Sequence, residues 1–396
     1  MKKMKKIVVA SDSFKGSLTS MEVADAVEAG IKSVFAQCEV VKVNVADGGE
    51  GTVDAITGSL GGKRRTIVVS DPLGRAVEAT YGIVETDSSV AMNANVETTG
   101  VRTAVIEMSA ASGLPLLHPD ERNPWTASTY GTGQMIRDAL NQGCRRLLVG
   151  IGGSATNDAG TGMLSALGVN FLDSRGQRLE GCGRSLQAIV RADTSALMPE
   201  AREAEFIVAC DVDTPFCGPR GAAHVFAPQK GADEQTVAAL ERGMCSFAGV
   251  IARQCGTDIT SLRGAGAAGG LGGAFKAFLN ARLTRGIEMV LDILDFDSML
   301  EGADLVVTGE GRIDAQTATG KTAAGVLARA RRKGIPVLAI GGSVEMCREL
   351  REMGFIGIHS ILDAPMSLEQ AMRKEVATDN IRRTMAQIMT AVDCAF

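Results

Sequence analysis

Both ends of the chain repeat one pattern: an apolar run, a short polar or glycine-rich turn, and an amphipathic helix. KKIVVASD predicts a buried strand, and TSMEVADAVEAGIKSVF predicts a helix that starts with a capping box of Thr19 and Glu22. EVVKVNVADGGEGTVDAI repeats the arrangement, with a strand ending at Ala46 and a helix beginning near Gly51. Strands and helices that alternate in this way build parallel α/β sheets.

The middle of the chain follows a different pattern. RTIVVSDPLGRAVEATYGIV holds two apolar runs around a turn at 71–74, which predicts an antiparallel hairpin. Near Gly286 the helices return, and ADLVVTGEG, IPVLAIGGS and GFIGIHSIL predict further strands. We therefore expect a doubly wound parallel-sheet α/β domain built from both chain ends, residues 1–64 plus 286–396. The inserted residues 65–285 would form a second α/β domain with a mixed sheet.

Length and charge limit the partners of the chain. Its 396 residues exceed the roughly 250–300 residues at which a single core stops growing, which favours two domains. The net charge of −5 gives no general attraction for nucleic acid or an anionic membrane, and one tryptophan and two tyrosines supply few stacking aromatics. A small-molecule substrate is favoured.

Cysteine and histidine usage exclude several further classes. The nine cysteines form no C-x-x-C pair, and the odd count without a signal peptide favours reduced thiols in the cytoplasm. No apolar run approaches the roughly 18 residues of a membrane helix. The three histidines are not paired at ligand spacing, and neither H-E-x-x-H nor G-x-S-x-G occurs. We therefore expect a cytoplasmic protein that is neither a transition-metal enzyme nor a hydrolase.

Four glycine-rich stretches are candidates for binding a nucleotide. In the first, Gly150, Gly152 and Ala155 follow a strand in a G-x-G-x-x-A arrangement, with Asp173 about where a ribose-binding acid would lie. This pattern is the basis of an alternative function, that of an NAD-dependent oxidoreductase of a small hydroxy acid. Asp158 argues against it, because an anionic side chain there would repel the diphosphate.

The second stretch contains Gly264, Gly266 and Gly269 in a G-x-G-x-x-G arrangement, but no convincing strand precedes it. Two interpretations stay open. The segment could form a backbone nest for phosphate oxygens, with Lys276 as a nearby cation. Alternatively, its small residues could allow close helix packing.

The third stretch, AQTATGKT, fits a relaxed phosphate-loop pattern. We expect the preceding strand to end near Thr308, which makes the connecting loop too long for that motif. An ordinary helix start is favoured, although Lys321 could contact a phosphate there.

The fourth stretch, Asp47, Gly48, Gly49 and Glu50, lies between a strand end and a helix start. Ligands of open α/β sheets bind beyond the carboxyl ends of strands. Two acids and two glycines at such a place predict a turn that binds Mg²⁺ or a hydroxyl group. Helix capping by Asp47 and Glu50 is the alternative.

Charged side chains recur at other predicted strand ends. They are Asp12, Ser13 and Lys15 after the first strand, Asp211 and Asp213 after FIVAC, and Glu310, Arg312 and Asp314 after LVVTG. Carboxylates that handle a metal and a hydroxyl proton, together with cations for anionic groups, are the parts that phosphoryl transfer requires. The clustering of these residues therefore favours a kinase over a module that only binds a ligand.

A resemblance to a known family extends over nearly the whole chain. The segments that carry it include, in order, SDSFKGSLTS, VADGGEGTVDA, EMSAASGL, GIGGSATNDAGTGM, CDVDTPFCGPRGAAHVFAPQKGA, GAGAAGGLGGAF and VVTGEGRIDAQTATGK. Together they resemble the bacterial glycerate kinases of the glycerate 2-kinase class. The resemblance implies a Rossmann-like or flavodoxin-like domain with an inserted domain. It also implies ATP-dependent, Mg²⁺-requiring phosphorylation of D-glycerate to 2-phosphoglycerate, in preference to 3-phosphoglycerate, in organic-acid metabolism. Glycerate and ATP are the expected partners, and a homodimer is the assembly considered.

Site residues are expected where these motifs match. The expected catalytic residues are Asp12, Lys15, Asp47 and Asp158; the substrate-binding residues are Ser13, Gly48, Gly49, Glu50, Ser154, Asn157 and Arg312; the ATP-binding residues are Gly266, Gly269, Gly270 and Lys276; and the metal ligands are Glu310 and Asp314. Ser11 departs from the family pattern, which usually has proline there. Closure of one domain on the other would exclude water from the reaction.

Overall fold

The computed structural model describes residues 4–86 and 100–395. In chain order, strands β1 to β13 span Lys6–Ser11, Glu39–Lys42, Lys63–Ser70, Ala76–Thr86, Val101–Glu107, Arg146–Gly150, Asn170–Leu172, Arg191–Asp193, Glu205–Ala209, Arg282–Thr284, Leu305–Ile313, Val337–Val344 and Gly357–Ser360. Helices α1 to α15 span Ser20–Lys32, Thr52–Ser59, Ser109–Ser112, Tyr130–Asn141, Thr161–Ala166, Pro199–Glu203, Ala222–Phe226, Glu234–Cys255, Ala267–Leu279, Gly286–Ile293, Phe296–Met299, Thr322–Arg332, Arg348–Met353, Leu368–Ala371 and Lys374–Ala395.

The chain divides into two compact units. The first consists of Met1–Asp47 and Val290–Phe396, and the second of Gly48–Met289. The expected domain boundaries after residues 64 and 285 stay a prediction. The compact units divide before Gly48 because α2 packs against β4 and β5 of the second unit.

The first unit contains a fully parallel five-stranded sheet in the order β2-β1-β11-β12-β13. This is the flavodoxin-like order, so the expectation of a doubly wound parallel sheet is confirmed. Beside the sheet, α1 presents Val23, Val27 and Ile31 to the core, and its predicted Thr19–Glu22 capping box is present. Gly30 of α1 lets α15 approach, because a Cβ atom there would lie 2.6 Å from the Met385 Cβ.

The second unit contains a mixed six-stranded sheet in the order β10-β9-β6-β5-β4-β3. β3, β4 and β5 pair antiparallel, whereas β5, β6, β9 and β10 pair parallel. The hairpin predicted around 71–74 is the β3–β4 connection, where Gly74 has a φ of 85°. A separate pair of antiparallel strands, β7 and β8, completes the unit.

Two predicted strand ends are wrong. β2 ends at Lys42, before the expected Ala46, whereas β11 continues beyond the expected Thr308 to Ile313. The extension of β11 is held by parallel pairing with β12 as far as Ile313 and Val344. Its glycines favour this pairing, because a Cβ atom on Gly309 would lie 2.5 Å from the Ile340 carbonyl oxygen. In the described part of the chain, no helix has the length and apolar character needed to cross a membrane.

Candidate active site

The candidate active site of the first unit lies where β1 and β11 are neighbours. From β1 the chain continues to one side of the sheet through β2, and from β11 it continues to the other side through β12. Open α/β sheets bind ligands at this reversal of strand order, beyond the carboxyl ends of the strands. Asp12 follows β1 directly, and Glu310 lies in the carboxyl-terminal half of β11. The topology therefore brings together two acids that are far apart in the sequence.

Asp12 accepts two hydrogen bonds at this edge of the sheet. The Ser13 backbone N–H donates to Oδ1 at 2.7 Å, and the Thr322 hydroxyl donates to Oδ2 at 3.1 Å. Burial raises the pKa of the Asp12 carboxyl, and the negative charge of Asp47 raises it further. A carboxylate whose pKa is raised in this way is suited to accept a proton near neutral pH.

Glu310 is the more deeply buried of the two acids, with 5% of its surface exposed. Its carboxylate accepts hydrogen bonds from the Ala323 backbone N–H at 3.1 Å and from the Thr317 hydroxyl at 3.3 Å. Burial raises the pKa of Glu310 to about 7, and the charge of Asp12 contributes to the rise. A divalent cation beside both acids would stabilise their ionised forms.

A pocket of about 620 Å³ opens over these acids. Its lining includes the cationic residues Lys15, Arg312 and Lys321 together with Asp12, Asp47 and Glu310. Arg312 forms ion pairs with Asp314 at 2.9 Å and with Glu345 at 2.8 Å, and its side chain is 64% exposed. The pocket therefore offers both anionic and cationic groups to a ligand.

Part of the pocket lining is apolar. Its residues are Phe14, Ile361, Leu362, Met366, Leu368 and Met372. Leu368 is 74% exposed and Met372 is 38% exposed, which is unusual for large apolar side chains that lie together. A ligand with a charged part and an apolar part would match both kinds of lining residue.

The structure brings six predicted site residues together around this pocket: Asp12, Ser13, Lys15, Asp47, Glu310 and Arg312. Asp314 is bonded within the protein, and the expected role of Glu310 and Asp314 as metal ligands stays a prediction. Its Oδ1 accepts the Gln316 backbone N–H at 2.8 Å, and its Oδ2 pairs with Arg312. Neither Glu310 nor Asp314 belongs to a group of three potential ligands within the described ranges.

The phosphate-loop interpretation fails for a reason other than loop length. Because β11 ends at Ile313, the stretch AQTATGKT does follow a strand closely, and Lys321 is the residue immediately before α12, as expected for an ordinary helix start. The Glu310 carboxylate already accepts the Ala323 N–H in the first turn of that helix. An anionic side chain therefore occupies the place where a phosphate loop would hold its phosphate.

In the second unit, the glycine turn that contains Gly48 and Gly49 lies on the carboxyl ends of the strands. Gly48 has a φ of 84°, and a Cβ atom there would lie 2.6 Å from the Ala209 Cβ. Gly51, which has no side chain, occupies the N-cap position of α2. Glu107, which the sequence analysis missed, accepts the Val53 N–H in the first turn of this helix at 2.8 Å. Helix capping by Asp47 and Glu50 stays an alternative.

Asp158 is completely buried in the second unit. Its carboxylate accepts hydrogen bonds from Thr129 N–H and Oγ1, both at 2.8 Å, and from the N–H groups of Gly160 and Gly162, both at 3.1 Å. Burial raises the pKa of Asp158, and these donors oppose the rise. The geometry suits a residue that organises the turn rather than one that touches a substrate, and the expected catalytic role stays a prediction.

Lys230 lies beside this turn and was also missed by the sequence analysis. Its ammonium group donates hydrogen bonds to the Ser154 hydroxyl at 2.7 Å and to the Thr156 carbonyl at 2.6 Å. Burial lowers the pKa of Lys230 to about 7. Ser154 is thus already bonded within the protein, and Asn157 is fully buried with its amide donating to the Met244 sulfur.

For the glycines expected to bind ATP, the structure supports the packing interpretation. A Cβ atom on Gly269 would lie 2.2 Å from the Thr156 carbonyl oxygen, and one on Gly266 would lie 2.1 Å from the Pro215 carbonyl oxygen. Gly270, with a φ of 94°, is equally enclosed. Lys276 lies in the last turn of α9, away from the start of the helix where a phosphate nest would need a cation. The expected role of these four residues in ATP binding stays a prediction.

The dinucleotide pattern around Gly150 also lacks its expected context. β6 ends at Gly150, but the next helix, α5, begins only at Thr161. Asp173 caps a turn by accepting the backbone N–H groups of Arg175 and Gln177, both at 2.8 Å. A dinucleotide site needs the helix to start within the glycine motif, and this segment does not provide that start.

A parallel sheet with paired acids at its switch point defines a class of α/β proteins that bind nucleotides and other small anionic ligands. Comparison with known proteins narrows this class. Residues 7–393 match the Glycerate kinase family. A glycerate kinase from Bacillus cereus is 44% identical over 97% of both chains, and a glycerate 2-kinase from Escherichia coli is 40% identical over 97% of both chains. A crystal structure from Salmonella typhimurium LT2, assigned as glycerate kinase 2, superposes with a TM-score of 0.86 at 38% identity over 99% of both chains. The chain belongs to the glycerate kinase family, as its motifs predicted.

Proposed function

We propose that this chain transfers the terminal phosphoryl group of ATP to D-glycerate and forms 2-phosphoglycerate, with Mg²⁺ as the cofactor. The acid pair Asp12 and Glu310, set among cations in the pocket of the first unit, is the observation that carries the proposal. Phosphoryl transfer depends mainly on positioning and electrostatics, and these residues supply both. The 2-hydroxyl is favoured as the acceptor because the Escherichia coli relative is a glycerate 2-kinase.

The acids have separate roles in this proposal. Asp12 orients the attacking hydroxyl and accepts its proton, for which its raised pKa is suited. Glu310 holds Mg²⁺, a hard cation that prefers carboxylate oxygens. When bound, the metal neutralises the charge that develops on the phosphate oxygens. Asp47 lies on the same pocket and keeps the pKa of Asp12 high.

The positively charged and the apolar residues of the pocket contact different parts of the two substrates. Lys15 or Arg312 pairs with the carboxylate of glycerate, and Lys321 attracts the phosphates of ATP. The adenine ring packs on the apolar residues of the pocket, of which Leu368 and Met372 are exposed. This arrangement suits a ligand with an apolar part and a highly charged part. ATP has both, in its adenine ring and its triphosphate.

Product analysis tests the proposal. The purified chain is incubated with ATP, Mg²⁺ and D-glycerate, and phosphorus NMR of the product identifies the phosphorylated hydroxyl. We expect 2-phosphoglycerate and the release of ADP only when glycerate is present. ADP release at the same rate without glycerate would refute the kinase proposal, and 3-phosphoglycerate as the sole product would correct its regiospecificity. Reduction of NAD with glycerate would instead support the oxidoreductase.

A further inference from the structure

Three potential metal ligands meet in the second unit, away from the acids described above. Glu241 and Cys245 lie one turn apart on α8, and Cys217 lies in the loop that precedes α7. Their sulfur and carboxylate atoms all lie within 4.8 Å of one another. Across the described ranges, 4–86 and 100–395, no other group of three His, Cys, Asp or Glu ligands is this close.

The Glu241 carboxylate is oriented by two donors but remains incompletely bonded. Its Oε1 accepts hydrogen bonds from the Gly218 backbone N–H at 2.5 Å and from the Cys245 thiol at 3.2 Å. Its Oε2 is buried and has no hydrogen-bond partner in the described part of the protein. A buried carboxylate oxygen without a partner costs free energy, which a bound cation would recover.

The two thiols add soft ligands to this carboxylate. All nine cysteines are free, so neither Cys217 nor Cys245 is held in a disulfide. Burial raises the pKa of Cys245 to about 12, and its hydrogen bonds with Glu241 and Cys217 contribute. Burial also raises the pKa of Cys217. The two thiols, close to each other and to the Glu241 carboxylate, therefore stay protonated until a cation is bound.

We propose that Cys217, Glu241 and Cys245 form a binding site for a thiophilic divalent cation such as Zn²⁺. Zinc binds thiolate sulfur at about 2.3 Å and carboxylate oxygen at about 2.0–2.2 Å, so ligand atoms in a tetrahedral site lie about 3.5–4 Å apart. The observed cluster is compatible with that spacing. Three protein ligands leave one position for water, and a pocket of about 440 Å³, lined in part by Cys217, Cys245 and Thr260, gives access from solvent.

A bound cation would link the loop that contains Cys217 to helix α8. Phe216, next to Cys217, is fully buried, and the Thr214 carbonyl accepts the Gly266 N–H at 3.0 Å. The loop therefore supports the start of α9, and a bond from Cys217 to α8 would restrain it at a second point. Binding to the folded state alone raises stability.

Cobalt provides a direct test, because thiolate ligands give Co²⁺ an intense sulfur-to-metal charge-transfer absorption, whereas oxygen ligands do not. The full chain is reduced with a phosphine, freed of metal and titrated with Co²⁺. We expect one equivalent to produce the band and Zn²⁺ to displace it. The band should be lost in Cys217→Ser and Cys245→Ser. Cys255→Ser, at the end of the same helix, is the matched control and should keep it.

Two further measurements separate this site from the kinase site and from simple oxidation. Glu241→Gln should weaken Co²⁺ binding by at least about tenfold, since changes even to supporting residues cost 10–100-fold. Zn²⁺ should raise the thermal midpoint of the wild-type chain but not of the two serine variants. The proposal is overturned if the reduced wild type gives no band, or if the band persists in both serine variants. The proposal is also overturned if the purified protein contains a Cys217–Cys245 disulfide and the reduced thiols bind no metal. None of these outcomes depends on kinase turnover.

Discussion

The Thr322 hydroxyl donates a hydrogen bond of 3.1 Å to the Asp12 carboxylate and so joins the start of α12 to the end of β1. The two residues come from the opposite ends of the chain, yet parallel pairing of β1 with β11 makes them neighbours. Thr322 is fully buried, so its hydroxyl is committed to contacts within the protein. This bond orients the carboxylate that we propose as the proton acceptor.

Replacing Thr322 with valine should therefore lower turnover without unfolding the chain. Valine has nearly the same shape but cannot donate a hydrogen bond, and bonds to charged groups contribute about 1.5–3 kcal/mol. We expect kcat for glycerate phosphorylation to fall at least about tenfold. Thr322→Ser keeps the hydroxyl and should stay close to wild type. A valine variant with wild-type kcat would show that the bond does not assist catalysis.

Asp47 and Asp158 should respond differently to substitution by asparagine. Asp47 lines the pocket, whereas Asp158 is buried and accepts four hydrogen bonds. Asp47→Asn should lower kcat and lower the midpoint of thermal unfolding less than Asp158→Asn does. In Asp158→Asn, the new amide would face N–H donors, and we expect a loss of about 1–3 kcal/mol in the free energy of unfolding. Kinetics and thermal unfolding of both variants test this difference. If the two variants lost the same amount of stability, the prediction would be contradicted.

The sequence was sufficient to predict the parallel sheet and the acids at its strand ends, because both depend on local patterns. Apolar runs followed by helices predicted β1 and α1, and the residues after β1 and within β11 were expected near a ligand. The extent of β11 was missed because glycine usually weakens a strand. Here close pairing with β12 requires the glycine at 309, and that pairing is not visible in the local sequence.

Lys230 was missed for a related reason. A lysine in a polar segment is expected at the surface, where the charge is solvated. Its partners Ser154 and Thr156 precede it by 76 and 74 residues, so only the folded chain reveals that the ammonium group is enclosed. The glycines of 266–270 were ambiguous because a phosphate nest and close packing both require the absence of a side chain, and the neighbours of each Cβ position distinguish the two.

Lys230 should make the stability of the chain increase with pH above neutrality. Burial lowers its pKa to about 7 in the folded protein, whereas the ordinary value is 10.5. Between these values the unfolded chain binds a proton that the folded chain has released, so raising the pH favours folding by up to about 1.4 kcal/mol per unit. Urea unfolding at pH 7 and pH 9 measures this slope.

The control for that measurement is a second lysine in the same unit. Lys230→Met should remove this contribution to the slope, whereas Lys276→Met, at a partly exposed position on α9, should keep it. If wild type and Lys230→Met show the same dependence on pH, the lysine is charged in the folded protein and its burial does not govern its titration.

Gly269→Ala should destabilise the second unit because the new methyl group has no space. Its Cβ atom would lie 2.2 Å from the Thr156 carbonyl oxygen, and the backbone φ of 68° adds strain. We expect a loss of more than about 1–3 kcal/mol, measured as a lower thermal midpoint. Gly152→Ala is the matched control, since the atom nearest to its Cβ position, the Gly49 Cα, is 3.8 Å away. The thermal midpoint of this variant should change little. If Gly269→Ala kept the wild-type midpoint but lost affinity for ATP, the glycine would serve the nucleotide and the packing interpretation would be wrong.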